Sequence, residues 1–523
     1  MPDTRSGSRW LRRLAVPTLL AGLLLVVPGT AQAQSCSTAV SSASGAGSDF
    51  DGDGKVDLAI SDPDATVSGN LRAGRVHIAY GDDATQTIVG GDIPGYDSGA
   101  GERFGFALDS VDWNKDGCTD LIIGNPYEHL SNNTILEAGS VVFIPGSPAG
   151  LDKTLAKNWT QSSLDGATGI DINEAGDRFG WDVAAGLDTA GKPFLVVGSP
   201  GEAAAVGDDG GYVFYARPGK AVAISQNIAG YSDSFEAGDM FGYSVAASES
   251  GLVIGVPGES AELSAGTVRH VGTVFLVGHN DATVAPSQIT AWGQDSPGIS
   301  GGYEHGDRYG YALDMVDYIS TGGGATRMMI AVGAPGEAIG SDTSSGMSSV
   351  IWSPGTGFTE YKNLSQDADK NTGDSTEPGD AFGIEVAMVN RTPGQNTTTD
   401  TLLLAIGSPG EDVEDTEGNL QTSDAGQVGL FSMTETEPNS GDLVRGLLED
   451  AGLAVADGNA IGSALYPTRT HLWATVSSRT DPVVYGVPWD NIVAAGTAPV
   501  LSYTPTTFGL SNTDVVSFGA SLA

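Results

Sequence analysis

Basic residues are scarce in this sequence. Lys and Arg together number 24, against 65 Asp and Glu, which gives a formal net charge of -41 at pH 7. A surface this acidic repels nucleic acid and anionic lipid, so neither is expected as a partner. Hydrophobic residues still make up 40% of the chain. Because they are arranged in regular runs that can bury a core, the acidity does not indicate disorder.

Catalytic motifs and cysteine are also nearly absent. The six histidines include no pair with metal-ligand spacing, and the chain has no phosphate-binding Gly-Lys-Ser or Gly-Lys-Thr motif. Each isolated histidine is therefore interpreted as a surface or core residue, and no catalytic residue is predicted. The only two cysteines, Cys36 and Cys118, allow one disulfide at most. The sequence alone leaves open whether they come together.

One long apolar run, residues 14–27, lies near the N-terminus. It follows four arginines within residues 5–13 and precedes an Ala-Gln-Ala motif at residues 31–33, which is the order of features in a secretory signal peptide. A membrane anchor is the alternative, but the run is short for a spanning helix and the rest of the chain has no second candidate. We therefore expect residues 1–33 to be a signal peptide and residues 34–523 to form the mature domain of a secreted, extracellular protein without membrane insertion.

Short apolar runs that end in a tight loop containing proline recur seven times along the chain. The prolines of successive loops lie 57 to 79 residues apart. This period is too long for one hairpin and fits a four-stranded unit that cannot bury its own faces alone, so the units must pack against one another. The seven prolines are Pro63, Pro126, Pro200, Pro257, Pro335, Pro409 and Pro488.

Each repeat contains four strand-like runs, as the third repeat illustrates. An alternating run at residues 179–183 begins with a Phe-Gly pair and has the period of two that is typical of a strand. A continuous apolar run at 195–197 fits a strand covered on both faces. A third run at 212–214 and a weaker, more polar run around Ile224 complete the unit. Seven units of four strands predict an all-β fold, a seven-bladed β-propeller of four-stranded blades.

The first repeat is incomplete, and an isolated strand at the end of the chain complements it. The first has no Phe-Gly strand before its loop, whereas residues 517–523 carry an isolated copy in which Phe518, Ala520 and Leu522 alternate. We expect this C-terminal strand to pair into the first blade, beside residues 58–81, and to close the ring. Closure removes the free sheet edges that an open array exposes, and the closed ring is expected to be a monomer.

Two nine-residue loops have the spacing of a calcium site. Each offers oxygen side chains at positions 1, 3, 5 and 9 and glycine at position 6, where the backbone must turn sharply. Ca²⁺ takes about six to eight oxygen ligands, and a main-chain carbonyl at position 7 would add one more. An EF-hand would need glutamate at position 12, which is Ile60 in one loop and Ile123 in the other. The alternative is an Asx-rich turn without metal. The predicted ligands are Asp49, Asp51, Asp53, the carbonyl of Lys55 and Asp57 in the first loop, and Asp112, Asn114, Asp116, the carbonyl of Cys118 and Asp120 in the second.

Together these motifs resemble a known family, the FG-GAP repeat propellers of integrin α-subunit N-terminal domains and of secreted bacterial proteins. In that family a Phe-Gly pair, a calcium loop of the Asp-x-Asp-x-Asp-Gly type and a Gly-Ala-Pro loop recur once per blade, and residues 333–335 are a literal Gly-Ala-Pro. The resemblance covers nearly all of residues 48–523 and implies bound Ca²⁺ and an extracellular binding role. The family's calcium ligands carry over only to the two loops above, because the later repeats depart from the loop pattern. The last repeat has Ile461-Gly462 in place of Phe-Gly.

A second acidic pattern accompanies the Phe-Gly pairs. Glu-x-Gly-Asp precedes four of the aromatic-Gly pairs, and Pro-Gly-Glu recurs in four of the proline loops. The pattern fits either a second cation site or turn chemistry combined with solubility, and the sequence favours the second interpretation. The acids of the first motif are Glu174 and Asp177, Glu236 and Asp239, Glu304 and Asp307, and Glu377 and Asp380; those of the second are Glu202, Glu259, Glu337 and Glu411.

Two classes of function are consistent with a secreted ring of this kind. The first is a calcium-binding adhesion-type module whose inter-blade loops recognise an extracellular protein or glycan. The alternative is a hydrolase or lyase that acts on extracellular polysaccharide with carboxylates as acid and base. Propellers host both, so the fold does not decide. Because the acids repeat from blade to blade instead of forming one set of unlike residues, the sequence favours binding.

Overall fold

The structure, a computed structural model, describes Cys36 and residues 47–523 except for 97, 167–171, 204–208, 228–234, 265, 280–286, 356, 367–375, 415–419, 434–439, 442–455, 479, 495 and 513–514. The predicted signal peptide lies outside the described residues.

Seven antiparallel sheets follow one another along the chain, and the first three lie before residue 225. Blade 1 contains β1 (Leu58–Asp62), β2 (Arg75–Ala79) and β3 (Thr85–Val89). Blade 2 contains β4 (Ala107–Val111), β5 (Asp120–Asn125), β6 (Ser140–Ile144) and β7 (Lys157–Trp159). Blade 3 contains β8 (Val183–Leu187), β9 (Pro193–Ser199), β10 (Tyr212–Arg217) and β11 (Lys220–Ile224).

The remaining four blades have the same plan, and two of them carry an inserted hairpin. Blade 4 contains β12 (Ser244–Ala247), β13 (Gly251–Val256), the hairpin β14 (Ala261–Leu263) and β15 (Gly266–Val268), β16 (Thr273–Gly278) and β17 (Ser287–Trp292). Blade 5 contains β18 (Leu313–Tyr318), β19 (Arg327–Ala334), β20 (Met347–Ser353) and β21 (Thr359–Leu364). Blade 6 contains β22 (Glu385–Asn390), β23 (Leu402–Ser408), the hairpin β24 (Val413–Glu414) and β25 (Leu420–Thr422), β26 (Gln427–Ser432) and β27 (Ser440–Gly441). Blade 7 contains β28 (Leu465–Pro467), β29 (His471–Val476), β30 (Val483–Pro488) and β31 (Leu501–Tyr503).

In the part of the chain that the structure describes, helical structure is limited to short pieces. One α-helix, α1 (Trp489–Val493), follows β30 in blade 7. Short 3₁₀ turns occupy Gly90–Asp92, Lys153–Leu155, Gln161–Gly166 and Pro505–Phe508. Within the described residues, no helix has the length and apolar character needed to cross a membrane.

The C-terminal residues supply the missing strand of blade 1. Ala59 and Ala523 exchange main-chain hydrogen bonds, with Ala59 N–H donating over 2.7 Å and Ala523 N–H donating over 3.1 Å. Ser61 N–H donates to the carbonyl of Ser521 over 3.0 Å, and Gly519 N–H donates back to Ser61 over 2.7 Å. These bonds add a fourth antiparallel strand beside β1. The predicted seven-bladed β-propeller, closed by its C-terminus, is therefore confirmed.

The Phe-Gly pairs form the joints between blades. In blade 3, Phe179 is fully buried and makes a parallel bridge with Gly139 of blade 2. Gly180 has a φ of +90°, a conformation that favours glycine. Gly124 of blade 2 lies so close that a Cβ there would be 2.2 Å from the carbonyl oxygen of Gly180. Close backbone contact between blades explains why the pair recurs at the start of each inner strand.

The hydrophobic core lies between neighbouring blades. On β9, Leu195 and Val197 pack into a cluster shared with blade 2, whereas Phe194 and Val196 pack into a cluster shared with blade 4. Successive strand residues point to opposite faces of a sheet, so a central strand that contacts a blade on each side must be apolar at every position. In blade 7, Ile461 is fully buried at the position of the usual Phe, so the degenerate repeat keeps the same joint.

Candidate functional site

The first predicted calcium loop folds back on its own carboxylates. Gly54 N–H donates to Asp49 Oδ2 over 3.1 Å. Asp53 N–H donates to Asp51 Oδ1 over 3.0 Å, and Lys55 N–H donates to Asp53 Oδ1 over 2.8 Å. One oxygen of each of the three aspartates lies within 4.8 Å of the other two. Asp49 is buried, which raises its pKa, and its Oδ1 has no hydrogen-bond partner in the described part of the chain. The loop therefore gathers three carboxylates around one point.

The second predicted loop repeats this hydrogen-bond pattern. Gly117 N–H donates to Asp112 Oδ2 over 3.1 Å. Asp116 N–H donates to Asn114 Oδ1 over 2.8 Å, and Cys118 N–H donates to Asp116 Oδ1 over 2.9 Å. Gly117, at position 6, has a φ of +96°, which a residue with a side chain adopts only under strain. The two loops thus share one conformation, and glycine is needed where the sequence places it.

The aspartates at position 9 hold each loop in place. Asp57 accepts from Phe50 N–H over 2.7 Å and from Gly81 N–H over 2.9 Å, one bond on each oxygen. Asp120 likewise accepts from Gly146 N–H over 2.9 Å and from the main chain of its own loop. Burial raises the pKa of both carboxyls to about 7. Each therefore links the loop to the connection that follows the third strand of its blade, and a carboxylate oxygen keeps a second lone pair for a cation.

The two loops contact each other across the boundary between blades 1 and 2. Thr119 N–H donates to the main-chain oxygen of Asp49 over 2.9 Å, and Asp49 N–H donates to Thr119 Oγ1 over 3.2 Å. Cys36 and Cys118 form a disulfide with Cα atoms 5.3 Å apart, so the bond that the sequence left open is present. Cys36 packs against Gly52 of the first loop, where a Cβ would lie 2.5 Å from the Cβ of Cys36. We call the two loops and this disulfide the acidic-loop cluster.

Corresponding positions in later blades use protein groups instead of an acidic loop. In blade 3, Asp188 follows the inner strand as Asp112 does in blade 2, and it forms an ion pair with Arg217 over 2.8 Å. In blade 5, Asp317 accepts hydrogen bonds from the hydroxyls of Ser248 and Ser250 over 3.1 and 2.9 Å. These contacts agree with the sequence, which restricts the calcium pattern to the first two loops.

A half-buried row of aromatic rings crosses blades 2 to 5. The ring centroids of Phe106 and Trp181 lie 5.0 Å apart. The row continues from Trp181 to Tyr243 over 5.4 Å and from Tyr243 to Tyr311 over 4.9 Å. Tyr127 packs beside it, with its centroid 5.5 Å from that of Phe106. We call these five residues the aromatic arc.

The aromatic arc and the acidic-loop cluster lie at opposite ends of the inner strands. Phe106 immediately precedes β4 and Asp112 immediately follows it, and a five-residue strand is about 17 Å long. Two cations face the arc: the guanidinium of Arg103 lies 4.7 Å from the ring centre of Tyr127, and that of Arg178 lies 5.9 Å from it. The alternating pattern of the sequence predicts only ordinary strand residues at the arc positions. The missed signal was an aromatic residue directly after the aromatic-Gly pair in four successive repeats.

The inner strands enclose a central cavity of about 210 Å³ that is lined by carboxyl groups. Asp109 accepts from Ala185 N–H of the next blade over 2.6 Å, and two further inner-strand aspartates, Asp182 and Asp314, bond to a following blade in the same way. Burial raises the pKa of these three aspartates to about 7. The pKa of Glu385, which also lines the cavity, is raised to about 8 by burial and by the neighbouring aspartates. The aspartates act as links between blades, which sequence reasoning did not identify.

Comparison with known families identifies one of these repeats directly. The model of the FG-GAP repeat family matches residues 41–78, which include the first acidic loop, β1 and most of β2. The resemblance to FG-GAP propellers is therefore confirmed, together with the propeller fold.

Several curated proteins share part of this sequence, all of them described as phosphatidylinositol-glycan-specific phospholipase D. The protein from Dictyostelium discoideum is 27% identical over 289 residues, which cover 50% of this chain and 28% of that protein. The rat and human proteins are 32% and 31% identical over 154 and 156 residues, which cover 28% of this chain and 17% of each relative. The chain thus matches less than a third of the length of these relatives.

A solved structure from Bacteroides uniformis, assigned as a 6-phosphogluconolactonase, aligns with 89% of this chain and 99% of its own length. Its TM-score is 0.42 and its sequence identity is 8%. A likeness this weak supports no statement about function.

Proposed function

We propose, from the premise that the chain is an FG-GAP repeat β-propeller, that it is a secreted, calcium-stabilised module that binds an extracellular protein or glycan. The observation that carries this proposal is the aromatic arc. It is one continuous, half-buried surface made by four blades, whereas the inner-strand aspartates Asp109, Asp182 and Asp314 join neighbouring blades.

Contact surfaces of this composition favour recognition. Large aromatic side chains and arginine are enriched where proteins bind partners, because they bury much area at low entropic cost. Arg103 and Arg178 lie over the arc. Each also forms an ion pair, with Asp64 over 3.0 Å and with Glu137 over 3.1 Å respectively, so charged groups of both signs border the aromatic surface. An aromatic surface also suits a glycan, since the flat faces of sugar rings carry C–H groups that pack on aromatic rings. The names of the curated relatives, which refer to a phosphatidylinositol-glycan, make glycans the first ligands to test.

The acidic-loop cluster fits Ca²⁺ as the stabilising cofactor. Three aspartates of the first loop converge within 4.8 Å, and the buried Oδ1 of Asp49 lacks a hydrogen-bond partner within the described residues. Ca²⁺ prefers such a set of carboxylate and carbonyl oxygens. Bound there, the ion would neutralise carboxylates that lie close together and would fix the contact between blades 1 and 2.

Hydrolysis is the alternative, either of an extracellular polysaccharide or, as the names of the curated relatives suggest, of a phosphatidylinositol-glycan. The inner-strand aspartates are poorly suited to it, because Asp109 accepts main-chain hydrogen bonds on both oxygens, from Ser110 over 2.7 Å and from Ala185 over 2.6 Å. Glu385 is the cavity carboxyl with the most strongly raised pKa among these groups, so it is the residue to mutate in a test for catalysis.

Glycan and extracellular-protein arrays probed with the purified protein test the binding function. Trp181→Ala combined with Tyr243→Ala should weaken binding of any captured ligand about 30-fold or more, because truncating a central aromatic contact costs about 2 kcal/mol or more. Trp352→Ala is the matched control, since this half-buried tryptophan lies in blade 5 outside the arc. Unchanged binding by the double variant would contradict the assignment of the arc. Turnover of a polysaccharide or glycolipid that Glu385→Gln abolishes would establish the hydrolase instead.

A further inference from the structure

Four blade junctions carry the same set of oxygen-bearing side chains, three of which are buried in each set. Each set begins with a glutamine, which lies two residues after the apolar residue that recurs at the end of the fourth strand. It also contains the Glu and Asp of a Glu-x-Gly-Asp segment and the Glu of the following Pro-Gly-Glu loop. We call each set a junction cluster. The clusters are Gln161, Glu174, Asp177 and Glu202; Gln226, Glu236, Asp239 and Glu259; Gln294, Glu304, Asp307 and Glu337; and Gln366, Glu377, Asp380 and Glu411. In every cluster the glutamine, the aspartate and the second glutamate are at most 6% exposed.

Backbone contact brings the two acidic segments of a cluster together. In the first cluster, Gly201 N–H donates to the carbonyl of Asp177 over 3.2 Å. A Cβ at Gly201 would lie 1.9 Å from the carbonyl oxygen of Gly176, so only glycine fits there. The corresponding glycines of the other three clusters would place a Cβ 1.8 to 2.2 Å from a carbonyl oxygen. As a result, one oxygen of each of Glu174, Asp177 and Glu202 lies within 4.8 Å of the other two.

The buried glutamines give an independent indication of a ligand. In each cluster the amide Nε2 donates to the second glutamate, as Gln161 does to Glu202. The other amide atom, Oε1, is buried without a hydrogen-bond partner in the described part of the chain, and this holds for all four glutamines. Asp307 Oδ1 in the third cluster is likewise buried without a hydrogen-bond partner among the described residues. Buried polar atoms are nearly always satisfied in native proteins, so the same unsatisfied atom at four equivalent junctions points to a bound group.

We propose that each junction cluster binds one Ca²⁺ ion between adjacent blades. The buried aspartate and glutamate supply carboxylate oxygens, and the glutamine supplies Oε1 after its amide turns toward them. The first glutamate of the cluster is exposed or half-exposed and completes the site from the solvent side together with water. The donor set contains only carboxylate and amide oxygens, which suits a hard cation that accepts irregular coordination.

The junction between blades 1 and 2 shows what replaces the ion where the set is incomplete. Gly90 stands at the position of the glutamine. Glu102 accepts a hydrogen bond from His129 N–H over 2.9 Å, and Glu128 accepts two from the amide of Asn158 over 2.9 and 3.1 Å. Protein donors thus engage both acids, while Asn158 Oδ1 is buried without a hydrogen-bond partner in the described part of the chain. Because this junction lacks the glutamine, it serves as the comparison in the test.

Three of the four ions would support the aromatic arc. Asp177 lies four residues before Trp181, and Asp239 and Asp307 precede Tyr243 and Tyr311 by the same interval. The clusters are therefore on the arc side of the ring and distinct from the acidic-loop cluster at the other end of the inner strands. Their cations would fix the segments from which the arc residues project.

Counting bound calcium tests the proposal. The mature protein is stripped with chelator, dialysed against Ca²⁺ and measured by native mass spectrometry. Six calcium ions per chain are expected if the acidic loops also bind Ca²⁺, and four if only the junction clusters do. The count therefore tests the junction clusters separately from the acidic loops. Asp177→Asn combined with Glu202→Gln should lower the count by one, whereas Glu102→Gln combined with Glu128→Gln should leave it unchanged. An unchanged count in the first variant would overturn the proposal.

A second variant distinguishes a cation site from a structural turn if the first one folds poorly. Gln161→Glu adds a carboxylate of nearly the same shape. At a cation site it should lower the melting temperature in chelator, restore it in Ca²⁺ and tighten calcium binding about tenfold, because added ligand charge raises affinity. A melting temperature that is lowered equally with and without Ca²⁺ would also overturn the proposal.

Discussion

Asp49 and Thr119 exchange hydrogen bonds in both directions across the boundary between blades 1 and 2, over 2.9 and 3.2 Å. Asp49 opens the first acidic loop, and Thr119 immediately precedes the last predicted ligand of the second, Asp120. The backbones of the two loops are therefore one unit, and an ion that orders one loop should also order the other.

Calcium should raise the thermal stability of the protein through these loops. A ligand that binds only the folded state adds about 2.7 kcal/mol per site at a hundredfold excess over its Kd. Asp51→Ala combined with Asn114→Ala should remove the part of the calcium-dependent shift in melting temperature that the loops supply, as measured by scanning calorimetry with Ca²⁺ or chelator. Because the loops are coupled, Asp51→Ala alone or Asn114→Ala alone should remove more than half of the shift in melting temperature that the loops supply. A double variant with the parent's full shift would contradict the calcium assignment; Glu262→Ala, on the exposed β14–β15 hairpin, is the control.

Removing residues 517–523 should sharply lower the melting temperature or abolish soluble secretion. The deletion takes away the strand that bonds to Ala59 and Ser61 and exposes the edge of β1. A milder change, Leu522→Ala, should cost about 2–5 kcal/mol, because Leu522 is 7% exposed and packs on Ile60. Val516→Ala is the control, since that side chain is 66% exposed. A truncated protein that melts with the parent would show that the ring does not need this strand.

The disulfide should stabilise the protein measurably. It closes a segment in which Cys36 and Cys118 are 82 positions apart, and loss of a native disulfide typically costs about 2–5 kcal/mol. Cys36→Ser combined with Cys118→Ser should therefore lower the free energy of unfolding in urea titrations. Thiol titration of the unreduced, denatured parent should find no free cysteine, and two free thiols per chain would refute the bond.

Protonation of the central cavity should make the protein more stable in mild acid than at pH 8. The pKa of Glu385 is raised from 4.5 to about 8. The folded state therefore holds a proton that the unfolded chain releases, and stability falls as pH rises from about 5 to about 8. The titratable groups that share this cavity or lie close to it are Asp109, Asp182, Glu249, Asp314 and Tyr466. Glu385→Gln should reduce the slope of melting temperature against pH in this range, and a slope equal to that of the parent would refute the role of Glu385.

Periodic features of the fold were predictable from sequence because the same residue pattern recurs in each repeat. Continuous apolar runs such as 195–197 predicted strands with a neighbouring blade on each face. The first repeat lacks a strand and residues 517–523 form an isolated one, and this pair of features predicted ring closure. The disulfide was not predictable, because the approach of Cys36 to Cys118 depends on how two blades pack. The role of the buried glutamines was also not predictable from sequence. Gln161 and its counterparts follow the fourth strand, which has the weakest apolar pattern of each blade, and they belong to no recognisable motif.

Ring closure joins residues that are 460 positions apart, as in the hydrogen bond between Ser521 and Ser61. β1 pairs with β2 on one side. The partner for its other edge does not exist until the C-terminal residues have been synthesised, so the first blade to emerge is the last that can be completed. Such long-range pairing slows folding, and the open edge is a target for association with other chains meanwhile. The disulfide and the paired loops join blade 1 to blade 2 without any contribution from the C-terminal residues. They can therefore hold blade 1 against blade 2 until the C-terminal strand pairs with β1.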